Sequence, residues 1–294
     1  MSTRSPTFDP WLPLFLAVVL WFPAMTAASY EWRFGAYYDY GWFVPPAALW
    51  LMIQRWRDAE APLRPLPWRR LWPALLVLLP WLLGLRVLGQ VDPAWRLPVG
   101  LLGLTAVIGS HTLLAMSRGW RHSAGYVWIT LLWCSALPWP SVVENGLVQW
   151  LSDQVVVGVT EVFQLAGRPV EILGDRLRLH DITVEVSDGC SGVRSFQSFF
   201  MATWFFAELQ RLRAGPAAVL LVSACVVAFV VNMARAYMLA TIRFDHGQEA
   251  FDRAHDWLGL AAFVVSALLF LVISAKLTSG TRRVLVRHRG PGVS

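Results

Sequence analysis

The chain has 294 residues, 56% of them hydrophobic and only 15% charged, with a mean hydropathy of +0.49. A soluble globular domain carries about 25% charged residues, so this chain is too poor in charge to cover a water-facing surface and reads as an all-α polytopic membrane protein. Its net charge of +6 and pI near 9.7 do not call for a nucleic-acid partner, because the arginines follow a membrane-sidedness pattern described below.

Windows of about 20 apolar residues mark spanning helices. Eight are predicted, at roughly 11–29, 43–54, 73–89, 97–116, 123–139, 195–209, 216–233 and 257–275. The first ends in Met25-Thr26-Ala27-Ala28-Ser29-Tyr30, loosely like a signal-peptide cleavage site. Its apolar stretch is long and contains Trp21 and Pro23, so it reads as an uncleaved first helix. Many of the 17 Trp residues stand near the ends of apolar runs, as Trp68, Trp72, Trp139 and Trp150 do, where an amphipathic ring suits the headgroup layer.

With these spans, one side of the membrane holds Arg4, the loop from Arg55 to Arg70, Arg118, Arg121, Arg211, Arg213 and the tail from Lys276 onward. That is 15 of the 25 basic residues with only four acids. The opposite side holds ten basic and fifteen acidic residues, giving net charges of +11 and −5. Lys and Arg in short loops favour the cytoplasmic side. Both termini are therefore expected in the cytoplasm, and the tail at about 276–294 reads as a basic end able to touch anionic lipid.

About fifty residues, 140–189, form the one substantial extramembrane segment. The first half carries apolar residues at helical spacing, interrupted by Glu144, Asp153 and Glu161, and predicts an interfacial helix or a shallow helix pair. In the second half the period changes to two. Val170 and Ile172, Leu177 and Leu179, then Ile182, Val184 and Val186 alternate with polar residues around a Gly174-Asp175 turn, which predicts a small β-hairpin or three-stranded ribbon. That ribbon delivers the chain to Asp188-Gly189-Cys190-Ser191-Gly192-Val193-Arg194.

Three polar islands on the outer side carry the chemistry. Cys190 sits in a Gly-rich turn just before a helix, where unpaired backbone N–H groups favour the thiolate, and Arg194 one turn later adds positive field. Ser191 is an alternative nucleophile, but it would leave the adjacent and better one idle. Arg235 ends the run VVAFVVNMAR at the outer edge of a span. An ionisable group at that depth points to function, although a snorkelling interfacial arginine is the bland alternative. Asn232, three residues earlier, shares its helical face. His255 opens the last helix and can exchange a proton near neutral pH. Asp256 is its neighbour, but adjacent residues on a helix point apart, so no orienting role is assigned to it. His246, in the same loop, is the strongest rival imidazole. Cys134 and Cys225 lie inside apolar runs and read as small buried hydrophobes. A single outward cysteine, with no His-x-x-x-His or Cys-x-x-Cys spacing, does not make a zinc site, so neither metal nor cofactor is expected.

Together these islands resemble the exosortase/archaeosortase family of membrane transpeptidases. The resemblance rests on Cys-Ser-Gly-x-Arg at Cys190 to Arg194, Asn-x-x-Arg at Asn232 to Arg235, and His255-Asp256 leading into the last helix. The early segment Tyr37-Tyr38-Asp39-Tyr40-Gly41 before Val44-Pro45-Pro46 is similar too, as is the strand-rich approach to the cysteine. The resemblance implies a single exosortase-like domain over 1–294, with Cys190 as nucleophile, Arg235 as transition-state stabiliser and His255 as general acid/base. It also implies exported protein partners that end in a short motif such as Pro-Glu-Pro, a hydrophobic helix and a basic cluster, and an acceptor of unknown identity. The implied site is on the extracytoplasmic face of a bacterial inner membrane.

Two other classes compete. One is a non-enzymatic transporter or structural membrane subunit. A transporter is expected to carry polar residues near the bilayer midplane and broken helices in matched halves, but His111 is the one clear ionisable residue deep in a predicted span, and no matched half is found. A transferase acting on lipid-linked saccharides would also use an outer-face cluster, but would not need the cysteine.

Overall fold

The computed structural model describes residues 9–174, 176–185 and 192–288. Helices dominate, and they fall into two compact units that meet in sequence at Ser141 and Val142. That boundary coincides with the start of the predicted extramembrane segment.

The first unit contains α1 (Leu12–Val19), α2 (Phe22–Phe34), a 3-10 helix (Asp39–Phe43), α3 (Val44–Arg57), α4 (Trp68–Val91), α5 (Arg96–Arg118), α6 (Trp120–Ala124) and α7 (Val127–Ser135). Proline at the first turn of α1, α2 and α3 fits the start of a helix, where the missing N–H is not needed. Fully buried Ala17, Ala24, Ala28, Ala48 and Ala106 are small residues of the kind that allow helix backbones to approach closely. The Trp21 and Trp133 rings stack at 5.2 Å.

The segment Tyr38–Gly41 is a clasp. The last carbonyls of a helix have no partner within it, and here side chains supply them. Trp32 Nε1 donates to the Ala136 carbonyl at 2.8 Å and the Tyr40 hydroxyl donates to Ser135 at 2.8 Å. The Tyr38 hydroxyl accepts from the Trp139 N–H at 2.8 Å. Arg96 joins them, donating to the Trp139 carbonyl at 3.0 Å and pairing with Glu31 at 3.2 Å. Gly41 must be glycine, because a β-carbon there would fall 2.3 Å from Trp32 Nε1.

The second unit contains α8 (Ser141–Leu165), strands β1 (Glu171–Leu173), β2 (Arg176–Leu179) and β3 (Ile182–Glu185), α9 (Val193–Leu209) and α10 (Ala214–His288). The first half of the extramembrane segment is thus one continuous helix, not a pair. The strands form an antiparallel sheet in the order β1-β2-β3, with Leu177 opposite Val184 and Leu179 opposite Ile182. Leu177, Leu179 and Val184 bury one face against Phe163 of α8 and Leu239 and Phe244 of α10. Completely burying a side chain such as Phe163 stabilises by about 1.5–3 kcal/mol, so the sheet and the helices hold one another.

α10 is a helical hairpin. Gly247 has φ +79, outside helical geometry, and Arg235 and His255 touch although 20 residues apart. In a straight helix that separation would be about 30 Å. α9 runs parallel to the returning leg: Phe199 meets Phe263, Phe206 meets Phe270 and Gln210 meets Ser274, each pair 64 positions apart. A constant offset defines a parallel register. At the tip, Arg168 grips Asp245 through two hydrogen bonds of 3.1 and 2.6 Å.

Four helical segments among the described residues are long and apolar enough to cross a membrane: Leu12–Phe34, Leu71–Val91, Arg96–Arg118 and Ala214–Thr278. This measure does not confirm the expected eight, and it takes α10 with its two legs as one segment. α1 and α2 act as one span, and the expected seventh and eighth spans are the two legs of α10. The expected second, fifth and sixth spans correspond to α3, to α6 with α7, and to α9, which are too short by the same measure. Large apolar side chains such as Val77 and Leu83 of α4, 74% and 64% exposed, face outward, as a lipid solvent requires. The protein is a multi-pass membrane protein.

Candidate functional site

The polar islands meet where the legs of α10 pass from apolar to mixed sequence. Arg235 follows Val230, Val231 and neighbouring apolar residues on the outgoing leg; His255 precedes Leu258 to Leu271 on the returning leg. Arg235 Nη2 lies 3.1 Å from His255 Nε2. Its guanidinium also covers the Gly259 backbone, so that a β-carbon there would lie 3.6 Å from Nη2. Both residues are partly buried.

The contact has one direction as a hydrogen bond. A guanidinium can only donate, so Nε2 of His255 accepts and carries the lone pair, and the ring proton sits on Nδ1. Nδ1 lies 3.3 Å from Asp256 Oδ1. Sequence reasoning assigned Asp256 no orienting role, because neighbouring residues diverge on a helix; the side chains nonetheless bend into contact. Asp256 is 96% exposed, so water weakens this bond, which serves as a proton-side anchor for the ring more than as a source of affinity.

Asn232, one turn before Arg235, is buried at 6% exposure and packs on Gly192. A β-carbon at Gly192 would be 2.8 Å from the Asn232 amide, and Gly192 has φ +78. Both the space and the backbone angle require glycine here. Gly192 leads directly into α9, so its packing on Asn232 lies at the start of that helix. Arg194 is exposed on the first turn of α9, its carbonyl accepting from the Ser198 hydroxyl at 2.8 Å. Cys190 and Ser191 lie outside the described residues.

The rival His246 sits exposed beside the reversal at Gly247, on the other side of that break from His255. His111 bridges two hydroxyls, Ser123 at 2.8 Å and Thr130 at 2.8 Å, and so ties helices together. Gln197 had no place among the expected site residues. It is fully buried on the second turn of α9 with neither amide atom hydrogen-bonded among the described residues. A Gln at a core position beside the polar first turn of a helix is the signal that could have flagged it. No group of three or more His, Cys, Asp or Glu side chains among the described residues could hold a metal. Two surface cavities stand apart from Arg235 and His255: one of about 400 Å³ beside the sheet, and one of about 220 Å³ near Arg86.

A model of the transmembrane exosortase family matches residues 32–272, most of the chain and all three islands. The protein belongs to this family, which implies a membrane cysteine transpeptidase or protease. Comparison with curated proteins and with solved structures gave no match.

Proposed function

We propose that this protein cleaves the C-terminal sorting tails of exported proteins at the extracytoplasmic face of the membrane, through a thioester at Cys190, and passes the cleaved protein to an acceptor. The observation that carries the reading is the 3.1 Å contact between Arg235 and His255 across the α10 hairpin. The family's two non-nucleophilic islands form one polar pair at the rim of the apolar legs. The packing of Gly192 on Asn232 supports the third. Gly192 is two positions after Cys190, and two residues of chain reach at most about 7 Å.

In this reading Nε2 of His255 takes the thiol proton while the Cys190 sulfur attacks the scissile carbonyl carbon. Arg235 exchanges its bond to His255 for the developing oxyanion, which both frees Nε2 and stabilises the tetrahedral intermediate. The C–N bond then breaks, and the departing amine of the tail takes the proton from His255. The acceptor nucleophile gives its own proton to His255 as it attacks the thioester, and the thiol is released. The distribution of Lys and Arg puts the site outside, with both termini in the cytoplasm. An apolar substrate tail beside the spans would hold its motif at a constant depth, so confinement supplies much of the positioning.

The test is co-expression with a tailed protein carrying an epitope on each side of its motif. Release of the tail by the wild type but not by Cys190→Ala supports the reading. Equal release by both removes Cys190 as nucleophile.

A further inference from the structure

We propose that the cavity beside Arg86 binds the phosphate headgroup of an anionic membrane lipid. Arg86 lies inside the apolar segment Leu71–Val91, five residues and about 8 Å before the end of α4. An arginine inside an apolar segment is costly and calls for a partner. Among the described residues none is a carboxylate; the guanidinium donates to the Thr26 hydroxyl of α2 at 2.9 Å. Thr26 gives its own proton to the Phe22 or Pro23 carbonyl, so it acts toward Arg86 only as an acceptor. Glu31, on the same helix, is engaged by Arg96.

A snorkelling arginine would reach for water along the lipid surface. This one turns between helices instead, onto a cavity of about 220 Å³. One bond to Thr26 leaves most of its five N–H donors for a ligand. Tyr30 and Gln90 add polar groups to the lining, Leu85 and Leu102 add apolar ones, and no acid lines the space. That pairing of a cation and the Tyr30 hydroxyl with apolar side chains suits an amphiphile better than a free ion. The site opens beside α4, the apolar span with the smallest share of its residues buried, 6%, so acyl chains have an outer face to lie on. Phosphate is the matching headgroup, because planar guanidinium donors meet its oxygens in pairs.

The test uses the full-length purified protein in neutral detergent, with the thermal unfolding midpoint followed as phosphatidylglycerol, phosphatidylcholine or inorganic phosphate is added. Phosphatidylglycerol should raise the midpoint at the lowest concentration, and Arg86→Gln should weaken its half-saturation roughly tenfold or more, the cost of a lost charge-assisted hydrogen bond. Arg86→Lys should retain much of the effect. Equal protection of wild type and Arg86→Gln overturns the proposal. Protection by inorganic phosphate as good as that by phosphatidylglycerol, and lost in Arg86→Gln, overturns the lipid assignment in favour of a free anion. If Arg86→Gln does not fold, Tyr30→Phe and Gln90→Leu serve in its place: weakened protection supports the site, and unchanged protection in both overturns it.

Discussion

Arg235 and His255 stand 20 residues apart in the chain and 3.1 Å apart in space, donor to lone pair, because the helix that carries both reverses at Gly247. The pairing orients the imidazole through Nε2 and holds the guanidinium over Gly259. Removing either partner should leave the fold intact and the chemistry impaired. Arg235→Lys keeps the charge but not the planar fork, and should lower tail release by about 10²–10³-fold, the loss typical of one oxyanion donor. His255→Gln should lower it by about 10²–10⁴-fold. Quantitative blotting of tail release at matched membrane levels measures both; near-wild-type release by either variant would remove that residue from the chemistry.

Gly192 tests how firmly the start of α9 is set. Gly192→Ala meets a positive φ, worth about 1–2 kcal/mol against an L side chain, and a contact of 2.8 Å to Asn232. Tail release should fall. In Gly192→Ala/Asn232→Gly the contact is relieved and the φ strain is not, so activity should recover in part. No recovery at all would mean that Asn232 acts by more than packing.

In the first unit, Glu31 and Arg96 form a mostly enclosed pair, with side chains 10% and 17% exposed. Removing one partner should destabilise by about 3–5 kcal/mol, because the other charge is left buried. Arg96→Met should therefore unfold at clearly lower temperature, and Glu31→Leu/Arg96→Met should be less damaged than either single variant. Additive losses in this cycle would show the two residues to be uncoupled.

His122 lies on α6, against Trp56 and Tyr126. Burial, then the nearby Arg118 and Arg55 charges, push its pKa down from 6.5 to about 4. The native state therefore binds fewer protons than the unfolded state between those values. Its contribution to stability is complete above pH 6.5 and is lost as pH falls toward 4. His122→Phe should flatten the acid side of the midpoint-against-pH curve in detergent. An unchanged slope between pH 6.5 and 4 would place the acid sensitivity elsewhere.

Much of this protein was legible in the chain itself. Low charge and long apolar runs determined a multi-pass helical membrane protein, because a lipid solvent forces backbone bonds to close within each segment. Period-two alternation from Val170 to Val184 marked strands, and the Asn-x-x-Arg and His-Asp blocks marked Arg235 and His255 by their depth next to apolar runs. Tertiary structure decided the rest. Apolar runs do not say whether a short helix such as α3 or α9 crosses the membrane, because each is shorter than a span needs on its own. Nothing local in the sequence says that Trp32, Tyr38 and Tyr40 would close the end of α7, or that Arg86 would turn toward Thr26. Nor does local sequence bring Arg235 to His255. Contacts over 20 to 104 positions depend on how helices pack, and packing is a property of the folded chain as a whole.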